Sequence, residues 1–537
     1  MHSDDAPKNL QGATEVEASS SPSHHHHQSY EDTDKNRWDR LWPVIACGAG
    51  LFSDGYLNNV IGSVNTMLKR IYPDEYANSS AQNNVSSITF AGTVVGMLFF
   101  GYTSDRFSRK WSLFASTVII IVFAALGAGS YGAGGSVSGL FAALTAYRFF
   151  LGIGIGGEYP AGSVGCAEST GELKSGTRNR WFILFSNVMI DFAFLVSSIV
   201  PVIVVLATGE SHLRAAWRIC LGIGVIPPLS LLWMRIKLQE PEAYKRESMR
   251  HTPIPYLLAI KYYWFRLSAI SIIWFIYDFS AYAFGIYSTT ILANLLGDDA
   301  ALWKSFAWNI LINFFYLPGA LLGSFLADVP ALGPKKTLVI GVCAQAIVGY
   351  IMAGAYSKLE EPANIAGFCV VYGVFLSLGE MGPGDNIGLL ASKTSATAVR
   401  GQYYGIAAAI GKIGAFVGTW VFPVIQSHAP NATASGQDPF WVASSLAILS
   451  GVIAWFCLPT VGQDDIDEED KRFRAYLESN GFDTGRMGLG KGGVGDGVGE
   501  AERGRGSSSE GSEGVGAAIE NCRECVRPSR RKKGQKN

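Results

Sequence analysis

Long apolar segments separated by short polar loops fill the chain between Trp42 and Leu458. Each segment is about 18 to 25 residues long, the length that crosses the hydrocarbon core of a bilayer as a helix. The sequence therefore predicts an all-α integral membrane protein with twelve transmembrane helices. These predicted spans lie near residues 43–67, 85–103, 112–131, 139–161, 182–207, 216–235, 267–294, 305–327, 337–356, 365–390, 403–425 and 440–460.

The charge content excludes several other classes of protein. Only 16% of the 537 residues are charged, against roughly a quarter in soluble domains. The net charge of −1 argues against nucleic acid as a partner. All 8 histidines lie outside the predicted spans, so a metal or an acid–base histidine at bilayer depth is not expected. We predict neither an enzyme nor a protein with a metal or other cofactor.

A longer polar loop divides the twelve spans into six plus six. The N-terminal tail holds the run His24–His27, for which a low-complexity tract is favoured over a metal site. The C-terminal tail holds the pair Cys522 and Cys525, for which a chance pair or an acylation site is favoured over a metal site. The predicted regions are a disordered tail (1–40), an N-terminal six-helix bundle (41–235), a cytosolic loop (236–266), a C-terminal six-helix bundle (267–461) and a mostly disordered tail (462–537).

Basic residues set the expected orientation. They concentrate in the loops after spans 2, 4, 6, 8 and 10, so these loops and both termini are predicted to be cytosolic. N-x-S/T sequons begin at Asn78, Asn84 and Asn431, all in loops predicted to lie outside, where glycosylation is possible.

A loop motif occurs in both halves. After span 2 the chain reads G-x-x-x-D-R-x-x-R-K, with Asp105, Arg106 and Arg109; after span 8, Asp328 precedes two lysines. An ordinary basic turn would explain one copy, but recurrence six spans later disfavours that explanation. The repeat resembles the cytosolic signature of the major facilitator superfamily. The resemblance implies two bundles around a central cavity and a gating latch at these residues.

Span 4 carries two ionisable residues at membrane depth, Arg148 and Glu158. Such a group costs several kcal/mol unless it is paired or hydrated, so each is a functional candidate. We assign Arg148 to gating. For Glu158 two interpretations stay open: a proton carrier, or a structural partner of a neighbouring helix.

Span 7 places Trp274, Asp278 and Tyr282 at i, i+4 and i+8, on one helix face. An acid at the centre of an aromatic stripe is not explained by packing alone. Lys412 in span 11 can hold an anionic substrate or neutralise a carboxylate. Other polar residues in predicted spans are Asp54, Asn187, Asp191, Glu380, Asp385 and Asn386.

These motifs resemble the phosphate:proton symporter branch of the superfamily. Three motifs carry the resemblance: GIGIGGEYP, W-x3-D-x3-Y and VRGQYYGIAAAIGKIGA. The resemblance implies that six residues contact the substrate: Tyr159, Asn187, Trp274, Asp278, Tyr282 and Lys412. It implies that Asp54 and Glu158 carry the coupling proton, and that the protein acts as a monomer.

Two departures favour a larger substrate. Glu158 stands where the phosphate carriers have Asp, and Gly384, followed by Asp385 and Asn386, stands where they have Asn. A lost side chain enlarges the pocket, and an added acid disfavours a multiply charged anion. The motifs EYPAGSVGCAEST and MGPGDN resemble fungal glycerophosphoinositol permeases.

We therefore predict proton-coupled uptake of a small anionic glycerophosphodiester, glycerophosphoinositol or glycerophosphocholine, across the plasma membrane, with Asp385 and Asn386 also binding substrate. An inorganic phosphate symporter is the alternative. A nutrient sensor that binds without transport is a third hypothesis.

Overall fold

The computed structural model describes residues 37–77, 79–297 and 301–489. Within these ranges the chain is helical and contains no strand. The first half is built from α1 (Arg37–Gly48), α2 (Leu51–Ile71), α3 (Ala81–Arg106), α4 (Arg109–Ala128), α5 (Val137–Gly157), α6 (Val164–Thr170), α7 (Arg178–Phe185), α8 (Asn187–Thr208), α9 (Leu213–Ile223) and α10 (Ile226–Ile236).

The short helix α11 (Glu242–Glu247) lies between the halves. The second half follows with α12 (Tyr256–Leu296), α13 (Leu302–Phe314), α14 (Tyr316–Leu326), α15 (Gly333–Gly354), α16 (Tyr356–Leu359), α17 (Ile365–Gly379), α18 (Asp385–Lys393), α19 (Arg400–Ser427) and α20 (Ala432–Cys457), and the last helix of the described residues is α21 (Asp465–Ser479).

Eleven helical segments of the described chain are long and apolar enough to span a membrane, and they match predicted spans 2 to 12. The first predicted span is also helical, but it is broken at Ala49 and Gly50 into α1 and α2. Its polar residues, including Asp54, Asn58 and Asn59, are buried inside the protein. They lower the hydropathy of α2, although this helix occupies the place of the missing twelfth span.

The two halves pack closely where side chains are small. Gly62 of α2 faces α12, and a Cβ atom at this position would lie 2.5 Å from the carbonyl oxygen of Ile286. Contacts of this kind bring the two bundles together around a central space. The small residues allow backbones to approach, as is usual in membrane-embedded helix packing.

Two predicted boundaries need correction. Helix α12 begins at Tyr256 and not at 267, so the second part of the expected central loop is helical. The C-terminal segment is helical over Asp465–Ser479, although disorder was predicted there. Its Phe473 and Leu477 are buried, and Phe473 packs against Tyr262 with ring centroids 5.7 Å apart. The His24–His27 run and Cys522 and Cys525 lie outside the described residues.

Helix α21 is attached through its acidic residues. The Asp470 carboxylate accepts hydrogen bonds from the backbone N–H and the hydroxyl of Thr397 at 2.6 and 2.7 Å. Glu469 pairs with Arg266 at 3.2 Å. The carboxyl groups that made this stretch look solvated in the sequence therefore attach it to the loop before α19 and to α12.

Acidification from pH 7 to pH 5 is expected to strengthen the docking of α21 about tenfold. Burial raises the pKa of Asp470 to about 6, and it also raises the pKa of Glu469. A group with a raised pKa binds its proton more tightly in the docked state, so docking gains stability as the pH falls through 6. Hydrogen exchange of the α21 amides, corrected for intrinsic rates, measures this. The dependence should weaken in Asp470→Asn; faster corrected exchange at pH 5 would contradict it.

Candidate functional site

A cavity of about 750 Å³ lies between the two halves of the protein. Both halves contribute to its wall, with α2, α8 and the segment around Tyr159 on one side and α12, α14, α18 and α19 on the other. Of the eight residues predicted to bind substrate, all but Asn386 line it: Tyr159, Asn187, Trp274, Asp278, Tyr282, Asp385 and Lys412.

Lys412 is the central residue of a polar group with Asp278 and Tyr282, which we call the basic pole. Its ammonium group lies 3.3 Å from Asp278 Oδ2 and donates a hydrogen bond to the Tyr282 hydroxyl. It also lies over the Tyr282 ring, 3.8 Å from the centroid. Both charged side chains are 1% exposed. The pair is therefore strongly desolvated, and an anion entering the cavity can compete with Asp278 for the ammonium group.

Hydrogen bonds extend from this group to Asp54 in the first half. The Tyr159 hydroxyl donates to the Asp54 carboxylate, and the Tyr282 hydroxyl lies 3.4 Å from the same oxygen. Asn58 donates to the other Asp54 oxygen at 2.5 Å, one helical turn away. Asp54 does not itself line the cavity but connects to it through the two tyrosines. Side chains from both bundles thus link an acid and a lysine through exchangeable protons.

The Trp274 side chain completes the predicted α12 face. Its ring packs against Tyr404, with centroids 5.4 Å apart in an edge-to-face arrangement. Gly411 lies opposite, where a Cβ atom would approach the indole to 2.5 Å. The i, i+4, i+8 spacing therefore does bring Trp274, Asp278 and Tyr282 to one cavity wall.

A second polar group in the cavity, which we call the acidic pole, is built around Asn187. The Asn187 amide nitrogen lies 3.2 Å from Asp191, 3.0 Å from Glu380 and 3.0 Å from Asp385. The Tyr277 hydroxyl donates to Glu380 at 2.5 Å. Asp191 and Asn187 come from α8, whereas the two other acids flank the break between α17 and α18. The sequence showed these acids but not their convergence.

Asn386 does not line the cavity, which corrects its predicted substrate contact. The helix is broken at Gly382 and Pro383, where the backbone leaves helical geometry. This break frees carbonyl groups, and the Asn386 amide donates to Met381 at 3.1 Å and Gly382 at 2.8 Å. These hydrogen bonds give both carbonyl groups a partner within the protein. Asn386 stabilises the break.

A profile of the sugar (and other) transporter family matches residues 42–253 and 241–473, one match for each bundle. The chain belongs to this family of the major facilitator superfamily. The protein is 52% identical to the major glycerophosphoinositol permease of Candida albicans over 457 residues, covering 84% of each chain. It is 51% identical to the glycerophosphocholine permease of the same organism over 453 residues, covering 83% of this chain and 84% of that permease.

Among solved structures, the proton:xylose symporter XylE aligns with a TM-score of 0.65 at 18% identity, covering 81% of this chain and 98% of that one. This likeness confirms the predicted fold class. The relatives are permeases and the fold is that of a transporter, so the protein is a membrane transporter and not an enzyme.

Glu158 lies outside the transporter's cavity and pairs with a residue that sequence analysis did not single out. Both of its oxygens accept from the Arg235 guanidinium, each at 2.5 Å, and Ser116 donates at 3.1 Å. All three side chains are buried. The geometry matches the structural alternative considered for Glu158, with α10 as the neighbouring helix, and it does not bring Glu158 to the basic pole.

Arg148 stays within the first bundle. It donates to the carbonyl oxygens of Val85 at 2.7 Å and Leu57 at 3.3 Å, which ties α5 to α3 and α2. These contacts do not cross between the halves, so they give no support to the gating role expected for Arg148. They instead hold α2, the helix that carries Asp54, in place.

Asp105 joins the two halves at the end of the bundle that carries the basic loops, here called the basic end. Its carboxylate accepts from the backbone N–H groups of Gly401 at 2.9 Å and Gln402 at 2.8 Å, the first turn of α19. Arg109 pairs with it at 2.5 Å. The neighbouring Arg106 donates to carbonyl oxygens of the segment between α11 and α12.

A buried acid missed by sequence analysis extends this network. Glu168 accepts from Arg109 at 2.9 Å and from Arg400 of the other half at 3.1 Å. Asp328 occupies the position in the second half that corresponds to Asp105, and it pairs with Arg180 of the first half at 3.2 Å. Asp105 and Asp328 thus both reach across to the opposite bundle, as the repeated motif predicts.

The opposite end is also bridged between halves. The backbone N–H of Leu302 donates to Glu210 at 2.7 Å, and the Trp420 indole donates to Ser87 at 2.7 Å. Two sequons lie at this end: Asn84 in the first turn of α3 and the exposed Asn431, which caps α20. Asn78 lies outside the described residues. Hydrogen bonds therefore join the two halves at both ends of the protein.

Proposed function

We propose that this transporter carries a glycerophosphodiester into the cell together with protons, across the plasma membrane and by alternating access. The observation that carries the proposal is the chain from Lys412 through Tyr282 and Tyr159 to Asp54. It connects Lys412, a buried cation on the cavity wall, to Asp54, a buried acid of the opposite half. The names of the two Candida relatives supply the substrate class.

The basic pole suits a phosphodiester anion. Lys412 offers a positive charge, and Tyr159, Tyr282 and Trp274 offer hydroxyl and indole donors around it. Binding of the anion draws Lys412 away from Asp278, because one ammonium group serves both. Asp54 holds the coupling proton, and the two tyrosine hydroxyls couple its charge to the anion site.

The contacts between the halves at the two ends of the protein give a physical basis for alternating access. If the basic end faces the cytosol, as its arginines and lysines predict, opening to the cytosol requires the contacts of Asp105 and Asp328 to break. Opening to the outside requires the contacts of Glu210 and Trp420 to break. Rocking of the bundles about the central cavity then exposes Lys412 to each side in turn.

Electrical balance sets the number of protons. Each charge that crosses against 100 mV costs about 2.3 kcal/mol. A monoanion alone is repelled by an inside-negative potential, whereas two protons with each monoanion carry a net positive charge inward. Accumulation of a monoanion therefore needs at least two protons for a favourable electrical term.

Inorganic phosphate is the alternative substrate, and the charge of the cavity counts against it. Asp191, Glu380 and Asp385 line the cavity, and these acids oppose a doubly charged anion. The missing side chain of Gly384 does not enlarge the cavity as expected, because a Cβ atom there would lie 2.0 Å from Glu380 Oε2. Competition in cells without their own carriers separates the two hypotheses. If phosphate inhibits glycerophosphodiester uptake only weakly, the result supports the proposal. Strong inhibition overturns it.

Replacing Asp54 by asparagine is expected to abolish uphill accumulation while exchange of substrate continues. The amide can still accept from Tyr159 but cannot bind or release the proton that drives transport. In proteoliposomes with an imposed pH gradient, the ratio of uptake in acid to uptake at neutral pH should fall to near one. Counterflow without a gradient is the matched control. Accumulation that persists in Asp54→Asn would contradict the assignment.

A further inference from the structure

Three carboxyl groups from both halves meet at the acidic pole, in the same cavity as Lys412. Asp191, Glu380 and Asp385 are 0%, 4% and 1% exposed, and all three line the cavity. Each lies within 3.2 Å of the single Asn187 amide nitrogen. An amide carries two N–H groups, so it cannot satisfy three acceptors at once.

These acids lack a positive partner. In the part of the chain that the structure describes, no Lys, Arg or His nitrogen lies within 4.0 Å of any of the three carboxyl groups, since each ion pair found there joins other residues. Among the described residues, Asp191 Oδ1 and Asp385 Oδ2 find no hydrogen-bond partner. Leaving buried carboxylates uncompensated is costly, so the site is suited to a ligand that brings positive charge.

The ligand is better matched by an organic cation than by a metal ion. Among residues 37–77, 79–297 and 301–489, no group of three or more His, Cys, Asp and Glu side chains has the arrangement of a metal site. Aromatic rings of Phe194, Tyr277 and Tyr316 line the cavity beside the acids, and the Phe194 and Tyr316 centroids lie 5.0 Å apart. Ring faces attract quaternary ammonium groups, which cannot donate conventional N–H hydrogen bonds.

We propose that Asp191, Glu380 and Asp385 form a subsite for the quaternary ammonium head group of a zwitterionic phosphodiester, whose phosphate group binds at Lys412. This inference rests on the proposed function and names the head group that the transporter prefers. The two charged poles of one cavity match the two charges of glycerophosphocholine. The Candida relatives are named for different head groups at almost equal identity, so similarity does not make this choice; the charge of the cavity does.

A zwitterionic substrate changes the electrical requirement of transport. A zwitterion carries no net charge, so a single proton per molecule already moves one positive charge inward. An inositol head group, in contrast, brings neutral hydroxyl groups. These can donate to carboxylates but leave the negative charge of the acidic pole uncompensated.

The test compares labelled glycerophosphocholine and glycerophosphoinositol in cells that lack their own carriers. The variants are Asp191→Asn and Asp385→Asn, each nearly isosteric and neutral. Asp438→Asn in α20, outside the cavity lining, is the matched control. We expect the half-saturating concentration of glycerophosphocholine to rise about tenfold in the two variants, and that of glycerophosphoinositol to rise by a clearly smaller factor. Surface abundance and melting temperature of each variant are measured in parallel.

The outcomes separate the subsite from the proposed function. No uptake of either diester by the wild-type protein overturns the proposed function. Uptake of both, with equal weakening by the variants, overturns the subsite alone, as does selective loss of glycerophosphoinositol. Unchanged half-saturation in both variants shows that these acids hold protons in place of a cation and also overturns it. If a variant fails to fold, thermal stabilisation of purified wild-type protein by glycerophosphocholine over glycerophosphoinositol still decides.

Discussion

Uptake by a Lys412→Met variant is expected to fall at least about a hundredfold. Lys412 is buried, contacts Asp278 at 3.3 Å and donates to Tyr282. Losing one partner of a buried, hydrogen-bonded charge pair at a binding site costs roughly 3–5 kcal/mol of affinity, and about 1.4 kcal/mol corresponds to tenfold in binding. The variant loses the positive charge that attracts the phosphodiester and leaves Asp278 facing it. Initial uptake rates in carrier-deficient cells measure the effect.

A second variant separates lost binding from lost folding. In Asp278→Asn/Lys412→Met the unpaired carboxylate is gone, so thermal stability should recover while uptake stays low. Asp278→Asn alone is also expected to cripple transport, because the freed lysine holds the anion too firmly to release it. Lys304→Met, on the exposed surface of α13, should behave as wild type. Normal uptake in Lys412→Met would mean that the basic pole is not the substrate site.

The parts of this site that the sequence predicted share one property. Asp278 and Lys412 are charged residues inside apolar helices, and such groups are placed toward a cavity or a partner. Helical spacing then assigns Trp274 and Tyr282 to the same face without any knowledge of neighbouring helices. Helical periodicity was sufficient here because each helix lines the cavity with one face, and the residues of that face can be found from the sequence of that helix alone.

The misses depend on contacts between distant segments. Glu168 meets Arg400, and Asn187 meets Glu380, across separations of 232 and 193 residues. No periodicity in either helix reveals which other helix lies opposite. The same limit applies to α21, where Ile466, Phe473 and Leu477 form a buried face within an acidic segment. A surface-like composition hid a helix whose acids have basic and hydroxyl partners elsewhere.

Glu158 illustrates how one residue type supports two hypotheses until its partner is known. A buried glutamate in a transporter helix is a candidate proton carrier, and the sequence also allowed a structural pair. The structure supplies Arg235, with two N–H···O contacts of 2.5 Å. Gly50, at the break between α1 and α2, makes room for the pair: a Cβ atom there would lie 1.9 Å from the guanidinium and 2.1 Å from the carboxylate.

Replacing Arg235 by methionine is therefore expected to destabilise the protein by about 3–5 kcal/mol, since a buried carboxylate is left without its partner. Replacing both members, in Glu158→Gln/Arg235→Met, should recover most of this loss, because a neutral amide needs no counter-charge. Thermal unfolding of the purified protein in detergent measures the stability. Arg218→Met is the matched control and should cost less, because this part-buried arginine of α9 donates to the backbone carbonyl oxygens of Ala128, at the end of α4, and Ser130.

The double variant also decides which role Glu158 has in transport. If the pair is structural, Glu158→Gln/Arg235→Met still accumulates substrate against its gradient at acid pH, and the loss of coupling is confined to Asp54→Asn. If Glu158 carries the proton, the double variant folds but no longer accumulates substrate. Since Asp54 contacts Tyr159 while Glu158 is held by Arg235 outside the cavity, we expect the first result, with coupling following the acid that is hydrogen-bonded to the basic pole.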